Sequence, residues 1–209
     1  MNAISVKNLN KVFTYYEKKE GFQHSLKNLL VRKQKTKEAV KNISFDIDSG
    51  DIIGFLGPNG AGKTTTLKML SGILYPTSGE VHVLGYCPWK RQKEFKMKYS
   101  MVLGQKSQLW PDLPASETFR LNQYIYEVDE RKCKMLLDEL TEYLDVKHLL
   151  NVQVRRLSLG ERMKLELIAS LIHSPQLIFL DEPSIGLDLV SQKKFVPLFD
   201  TGMNNIKQL

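Results

Sequence analysis

Apolar and polar residues alternate at the start of the chain. The pattern predicts strands at Ile4 to Leu9 and at Ala39 to Ile47, the second running through Val40, Ile43, Phe45 and Ile47. A turn at Ser49-Gly50-Asp51 leads into Asp51 to Leu56, a short and almost unbroken apolar run of the kind that a strand buried on both faces of a parallel sheet requires. Apolar spacing next predicts a helix from Thr64 that stops at Gly72, and after a turn at Pro76–Gly79 the chain alternates again from Glu80 to Leu84. Between Asp112 and Leu157 the texture becomes helical. One helix is predicted over Ser116 to Val128 and another over Arg131 to Leu150, the latter with an apolar stripe at Cys133, Leu136, Leu137, Leu140 and Leu144. A third begins near Gly160, carries Met163, Leu167, Ile168, Leu171 and Ile172 on one side, and stops before Pro175. Leu177 to Leu180 is a second fully apolar strand, and Asp181-Glu182 ends it.

Chemistry enters at the first strand-to-helix joint. Gly57-Pro58-Asn59-Gly60-Ala61-Gly62-Lys63-Thr64 matches G-x-x-x-x-G-K-[ST] between a predicted strand and a predicted helix. Glycines let the backbone curl so that successive N–H groups face an anion, the helix N-terminus adds partial positive charge, and Lys63 supplies a full one. Thr64 offers a hydroxyl to a Mg²⁺ held between phosphates. A phosphate-transferring site of this type also needs two carboxylates at the end of a second buried strand, one for the metal's water shell and one to orient or deprotonate the attacking water. Asp181 and Glu182 stand at such a place. Ser158 and Glu161 have the spacing of a capping box at the start of the third helix; besides capping it, that N-terminus with the small Gly160 beside it is a phosphate-binding device.

The Walker A stretch Gly57–Thr65, Gln105 after a strand, Leu157-Ser158-Leu159-Gly160-Glu161, Asp181-Glu182 and Gly186-Leu187-Asp188 follow one another in the order seen in ABC ATPases. From Ile4 to about Lys194 the chain resembles that family, and its GPNGAGKTT loop resembles the ATPases of two-component, exporter-like systems. The resemblance implies an α/β P-loop NTPase fold. Within it, residues 1–50 would form an antiparallel β subdomain, 51–105 and 161–209 a RecA-like parallel-sheet core, and 106–160 a helical subdomain. It implies that Phe13 stacks on adenine and that Gly57, Pro58, Asn59, Gly60, Ala61, Gly62, Lys63, Thr64 and Thr65 hold ATP. Thr64, Gln105 and Asp181 would approach Mg²⁺, with Glu182 as general base and Gln105 reporting nucleotide state to a permease. Ser158, Leu159, Gly160 and Glu161 would act in trans on the nucleotide of a second subunit, so that a homodimer or heterodimer is needed. The partners implied are ATP and separately encoded membrane permease subunits, at the cytoplasmic face of the membrane, with no nucleic acid.

Three departures from the family pattern bear on activity. Leu159 replaces the first of two paired glycines and Glu161 replaces Gln in the signature string, and Tyr15 and Tyr16 lie close to Phe13 as rival aromatic platforms. The family's switch histidine, expected roughly thirty residues beyond the glutamate, has no counterpart among His24, His82, His148 and His173. Pro197 and Gly202 interrupt the final segment, and Lys193-Lys194 can be encoded by a run of adenines. These features predict that residues from Phe195 onward are out of frame, and that the chain is a truncated product, poorly soluble and without ATPase activity. A nucleotide-binding chain that does not hydrolyse ATP is therefore the first alternative. A soluble ABC ATPase of DNA repair or translation is the second, but such proteins usually carry a coiled-coil insertion or a second cassette.

Composition narrows the setting. The 209 residues, 42% of them hydrophobic, suffice for one sizeable domain or a core with a smaller subdomain, and two cysteines are too few for a disulfide framework. A reducing cytosol fits, and neither a signal peptide nor a membrane-spanning run is expected. Much of the +7 net charge gathers between Lys18 and Lys41. There Phe22, Leu26, Leu29 and Leu30 recur at helical spacing among Lys27, Arg32 and Lys33, a basic amphipathic segment. It reads either as a solvated helix on the β subdomain or as a contact to a membrane surface or permease. Nucleic acid is disfavoured because basic and aromatic residues do not interleave.

Overall fold

Period-two alternation at the N-terminus builds an antiparallel sheet in the order β2-β1-β3, from β1 (Asn2–Tyr16), β2 (Gln34–Asp48) and β3 (Ser78–Val83). The computed structural model describes residues 2–16, 34–104 and 107–182. Ile4 pairs with Val83 and Val6 with Val81, so the buried side chains of β1 and β3 share one face. Along β2, half-buried Ile43, Phe45 and Ile47 alternate with exposed Asn42, Ser44 and Asp46, as the sequence pattern predicts. The β1–β2 ribbon extends further than the alternation suggests, through Thr14↔Thr36, Tyr15↔Lys35 and Tyr16↔Gln34. The amphipathic stretch from Phe22 to Lys33 lies outside the described residues, as do Gln105, Gly186-Leu187-Asp188 and everything from Phe195 onward.

Helix α1 (Lys63–Leu70) follows the glycine-rich loop, and Gly72, at φ 74°, ends it where expected. Asp51 to Leu56 corrects the sequence reading, because it is not a strand. Ile52, Ile53 and Leu56 are exposed, Leu56 to 96%, and no described strand pairs with the run. Apolar composition sets a preference for burial, but a strand exists only where a neighbour accepts its N–H and C=O groups.

The chain divides into two compact units, one up to Phe95 and the other from Lys96, with the short α2 (Lys93–Lys96) at the junction in sequence. In the second unit β4 (Tyr99–Leu103) and β5 (Leu177–Asp181) pair in parallel, from Tyr99↔Leu177 to Leu103↔Asp181. Helices α3 (Ala115–Ile125), α4 (Glu130–Tyr143) and α5 (Leu159–Leu171) enclose a core that includes Val102, Phe119, Cys133, Leu140, Leu144, Met163 and Ile168.

Both α3 and α4 stop short of their predicted ends, and for one reason. In α4 the amide of Asp145, at φ 55°, donates to Glu142 O and that of Val146 donates to Thr141 O. In α3, Glu127 at φ 54° donates to Tyr124 O, and Val128 to Gln123 O. These are Schellman closures in which an acidic residue takes the place usually held by glycine. After α4 the chain resumes only as a 3₁₀ turn at Lys147–Leu149.

Candidate functional site

The glycine-rich loop belongs to the first unit. Gly60 and Gly62 have φ of 84° and 90°, and a Cβ on Gly62 would come within 2.3 Å of the Ala39 carbonyl oxygen. Glycine at 62 is thus required by both backbone angle and space. As the residue preceding α1, Gly62 brings no side chain to cap the helix, which leaves that role in the first turn to an anion or solvent. Lys63 folds back across the loop, its ammonium donating to Gly57 O at 2.7 Å and Pro58 O at 3.0 Å. Thr66 fixes the first helical turn through its amide and hydroxyl, both donating to Gly62 O, at 2.8 and 3.0 Å. Asn59, Ala61, Thr64 and Thr65 lie in the same loop and first turn. Phe13, the aromatic residue expected on adenine, stands on β1 opposite Lys37, partly exposed, with the Lys11 ammonium 5.1 Å from its ring centroid. Tyr15 and Tyr16 are exposed further along the same ribbon.

The acidic pair belongs to the second unit and closes β5. Asp181 is half-buried at the strand's end, and Glu182 is exposed with φ 55°. A left-handed backbone costs a non-glycine residue roughly 1–2 kcal/mol, and such residues gather at functional sites. Gly104, which the sequence pattern did not single out, donates its amide to Asp181 O at 3.0 Å. A Cβ there would lie 3.0 Å from Asp181 O and 3.1 Å from Glu182 O, so a side chain at 104 would require the end of β5 to give by a few tenths of an ångström. The signal was present as a lone glycine directly before Gln105.

The signature turn opens α5. Glu161 N donates to the Ser158 hydroxyl at 3.3 Å, and Glu161 Oε2 accepts from Ser158 N at 2.8 Å, so both halves of the expected capping box form. Hydrogen bonds from the Ser158 side chain and backbone hold the Glu161 carboxyl below the usual carboxylate range. Leu159 stands exposed beside this turn and Gly160 is half-buried. Two turns on, Glu166 is buried among Leu165, Leu167 and Ile168. Burial pushes its carboxyl above the usual range, against the pull of the Ser107 hydroxyl, Arg162 and the Gln108 amide. The sequence signal for it was an acidic residue inside an apolar run, which the helical pattern absorbed without comment.

Among the described residues no group of three or more His, Cys, Asp or Glu side chains could hold a metal ion, and no helix is long and apolar enough to cross a membrane. A loop built to surround phosphate, an acidic pair at the end of a parallel strand and a box-capped helix define a P-loop nucleotide-binding protein. The ABC transporter family model matches residues 40–185, and the chain belongs to that family. It is 34% identical over 206 residues to the mouse cholesterol transporter ABCA5, covering 99% of this chain and 12% of that protein. The ABC transporter ATP-binding protein NatA of Bacillus subtilis (strain 168) is 32% identical over 163 residues, covering 78% of this chain and 66% of NatA. The dimeric, ADP- and Pi-bound ATP-binding cassette MJ0796 superposes with a TM-score of 0.76 at 22% identity, covering 97% of this chain and 83% of that one. That likeness shows the P-loop NTPase fold.

Proposed function

We propose that this chain is the ATP-hydrolysing subunit of an ABC transporter, which couples closure of an ATPase dimer to separately encoded membrane permease subunits. The observation that carries the reading is the glycine loop, with its lysine held over it and a left-handed Gly62 at the start of α1. In this reading Gly57 to Thr65 wrap the triphosphate, and Lys63 exchanges the Gly57 and Pro58 carbonyls for phosphate oxygens. Phe13 supports the adenine. Thr64, Gln105 and Asp181 offer a hydroxyl, an amide and a carboxylate oxygen, the hard donors that suit Mg²⁺ alongside phosphate oxygens; bound there, the ion would neutralise charge on the transferred phosphoryl group. Glu182 accepts the proton of the attacking water. Ser158 to Glu161 present a helix N-terminus to the nucleotide of a second subunit. The name of NatA and the dimeric ADP- and Pi-bound cassette support this role and the need for two copies. The chain would sit at the cytoplasmic face of the membrane.

Phosphate release by the purified chain with MgATP, compared with Glu182→Gln, tests this reading. On this reading the parent turns over ATP, whereas the variant binds ATP, accumulates as a dimer and releases no phosphate above background. A variant that hydrolyses at the parent rate removes Glu182 from the role. A second reading, in which the chain binds nucleotide without turnover, is favoured by Glu161, whose ionised carboxylate at the start of α5 would repel a triphosphate. A parent that binds ATP and releases no phosphate supports it.

A further inference from the structure

Beyond Asn10, the last residue of β1 that pairs with β3, strands β1 and β2 run on as a two-stranded ribbon. Its outer part keeps an unbroken register, Val12↔Glu38, Phe13↔Lys37, Thr14↔Thr36, Tyr15↔Lys35 and Tyr16↔Gln34. Residues 13–16 and 34–38 are all exposed, so neither face of this part is buried. Side chains alternate between the two faces, and directly opposite residues share one. One face carries Phe13 beside Lys37 and Tyr15 beside Lys35, with the Lys11 ammonium 5.1 Å from the Phe13 centroid; among the described residues it holds no carboxylate. The other carries Thr14, Thr36, Tyr16 and Gln34, with Val12 and Glu38 behind them, and the Glu38 carboxylate pairs with Lys41 at 3.8 Å. A ribbon shaped only for solubility mixes both signs of charge on each face. Here cations and aromatic rings are sorted onto one.

The inner end of that face adjoins the phosphate loop, because Lys11 stands opposite Val40, whose Cγ2 would lie 3.1 Å from a Cβ at Gly62. In the function proposed above Phe13 serves adenine, which leaves Tyr15, Lys35 and Lys37 at the outer end. Both residue types suit a headgroup layer: tyrosine sinks an apolar ring and keeps its hydroxyl wet, and lysine lays its stem along apolar surface while its ammonium meets phosphate. The seventeen residues that join the two strands, 17–33, add five cationic and two acidic side chains, with Phe22, Leu26, Leu29 and Leu30 at helical spacing in the sequence. A basic amphipathic composition of that kind fits a lipid surface, whereas binding of unstacked bases calls for further aromatic platforms. We propose that the outer ribbon face of Tyr15, Lys35 and Lys37 docks on the anionic surface of a lipid bilayer.

The proposal rests on the membrane location given above but not on ATP turnover, so vesicle binding without nucleotide tests it separately from the ATPase reading. Flotation of the whole chain with vesicles measures the contact and leaves aggregated protein behind. In roughly 0.1 M salt the parent is expected to float with vesicles of equal parts phosphatidylcholine and phosphatidylglycerol, and not with phosphatidylcholine alone. Raising the salt to about 0.5 M should lower the bound fraction severalfold, because exposed charges are then screened. The double variant Lys35→Gln/Lys37→Gln should lower the partition coefficient about tenfold or more, as befits two ammonium groups at a charged surface. Tyr15→Ser should lower it severalfold. Lys132→Gln/Lys134→Gln, on the exposed side of α4, removes the same charge elsewhere and is expected to stay within about twofold of the parent. A parent that does not float with anionic vesicles, or floats equally with neutral ones, overturns the proposal. So does a ribbon variant within about twofold of the parent, or an equal loss in the α4 variant. Tighter binding to a single-stranded oligonucleotide than to anionic vesicles, lost in the same ribbon variant, would assign the face to nucleic acid and overturn it as well.

Discussion

Gly104 donates its amide to the carbonyl of Asp181 at 3.0 Å, and the space where its Cβ would stand is bounded by the carbonyl oxygens of Asp181 and Glu182. Gly104→Ala requires the two carbonyls to give by a few tenths of an ångström. The expected cost is about 1–3 kcal/mol, as for an added methyl in a filled space. A melting temperature lowered by several degrees, with ATP affinity in equilibrium dialysis unchanged, is the outcome predicted. A variant that melts with the parent would show that the segment has room the structure does not display.

Lys63→Ala removes the ammonium that bridges the Gly57 and Pro58 carbonyls and the full positive charge available to phosphate. ATP affinity is expected to fall at least tenfold, about 1.4 kcal/mol or more. Thermal stability should change little, because the side chain lies over the loop and outside the hydrophobic core. Retained micromolar affinity in equilibrium dialysis would remove the loop from its assigned role.

Ser158→Ala takes away the acceptor for Glu161 N and should destabilise the protein by about 1 kcal/mol. The effect carries a pH signature. Glu161 titrates below its ordinary value because Ser158 hydrogen-bonds its ionised form, so that stabilisation is present above the unfolded carboxylate pKa of about 4.3 and is lost as pH falls through the folded value. Denaturant titrations of the parent and of Glu161→Gln, which keeps the side-chain acceptor for Ser158 N without its charge, should thus converge in acid and separate toward neutrality. A gap independent of pH would mean that the box is not coupled to the charge of Glu161.

His173 stacks on Tyr126 with ring centroids 3.7 Å apart, and its Nε2 bonds the Tyr99 carbonyl. Burial holds its pKa below the usual histidine value, so the folded state favours the neutral ring. The sign follows: stability is full above the unfolded pKa of about 6.5 and declines as pH falls toward the folded value. His173→Gln should lose this dependence, visible as a smaller fall in melting temperature between pH 7 and pH 5 than in the parent. Parallel curves would assign the dependence to other groups.

The sequence by itself determined what its local patterns encode. Alternation in Ile43, Phe45 and Ile47 gave the face of β2, Ser158 with Glu161 gave the capped start of α5, and the loop from Gly57 to Thr64 gave the family, which the match over residues 40–185 shows. Each of these is written within a few residues of chain, where spacing fixes geometry. Tertiary structure decided the rest. Asp145 and Glu127 end their helices in a left-handed conformation that sequence rules reserve for glycine, because the carbonyls of the preceding turn and the packing of Val146 repay the strain. Asp51 to Leu56 has the composition of a buried strand but is not one, since backbone pairing depends on a neighbour that composition cannot supply. The closeness of Gly104 to Asp181 joins residues about 80 positions apart, and no periodicity links such positions: only the packed parallel pair brings them within hydrogen-bonding distance.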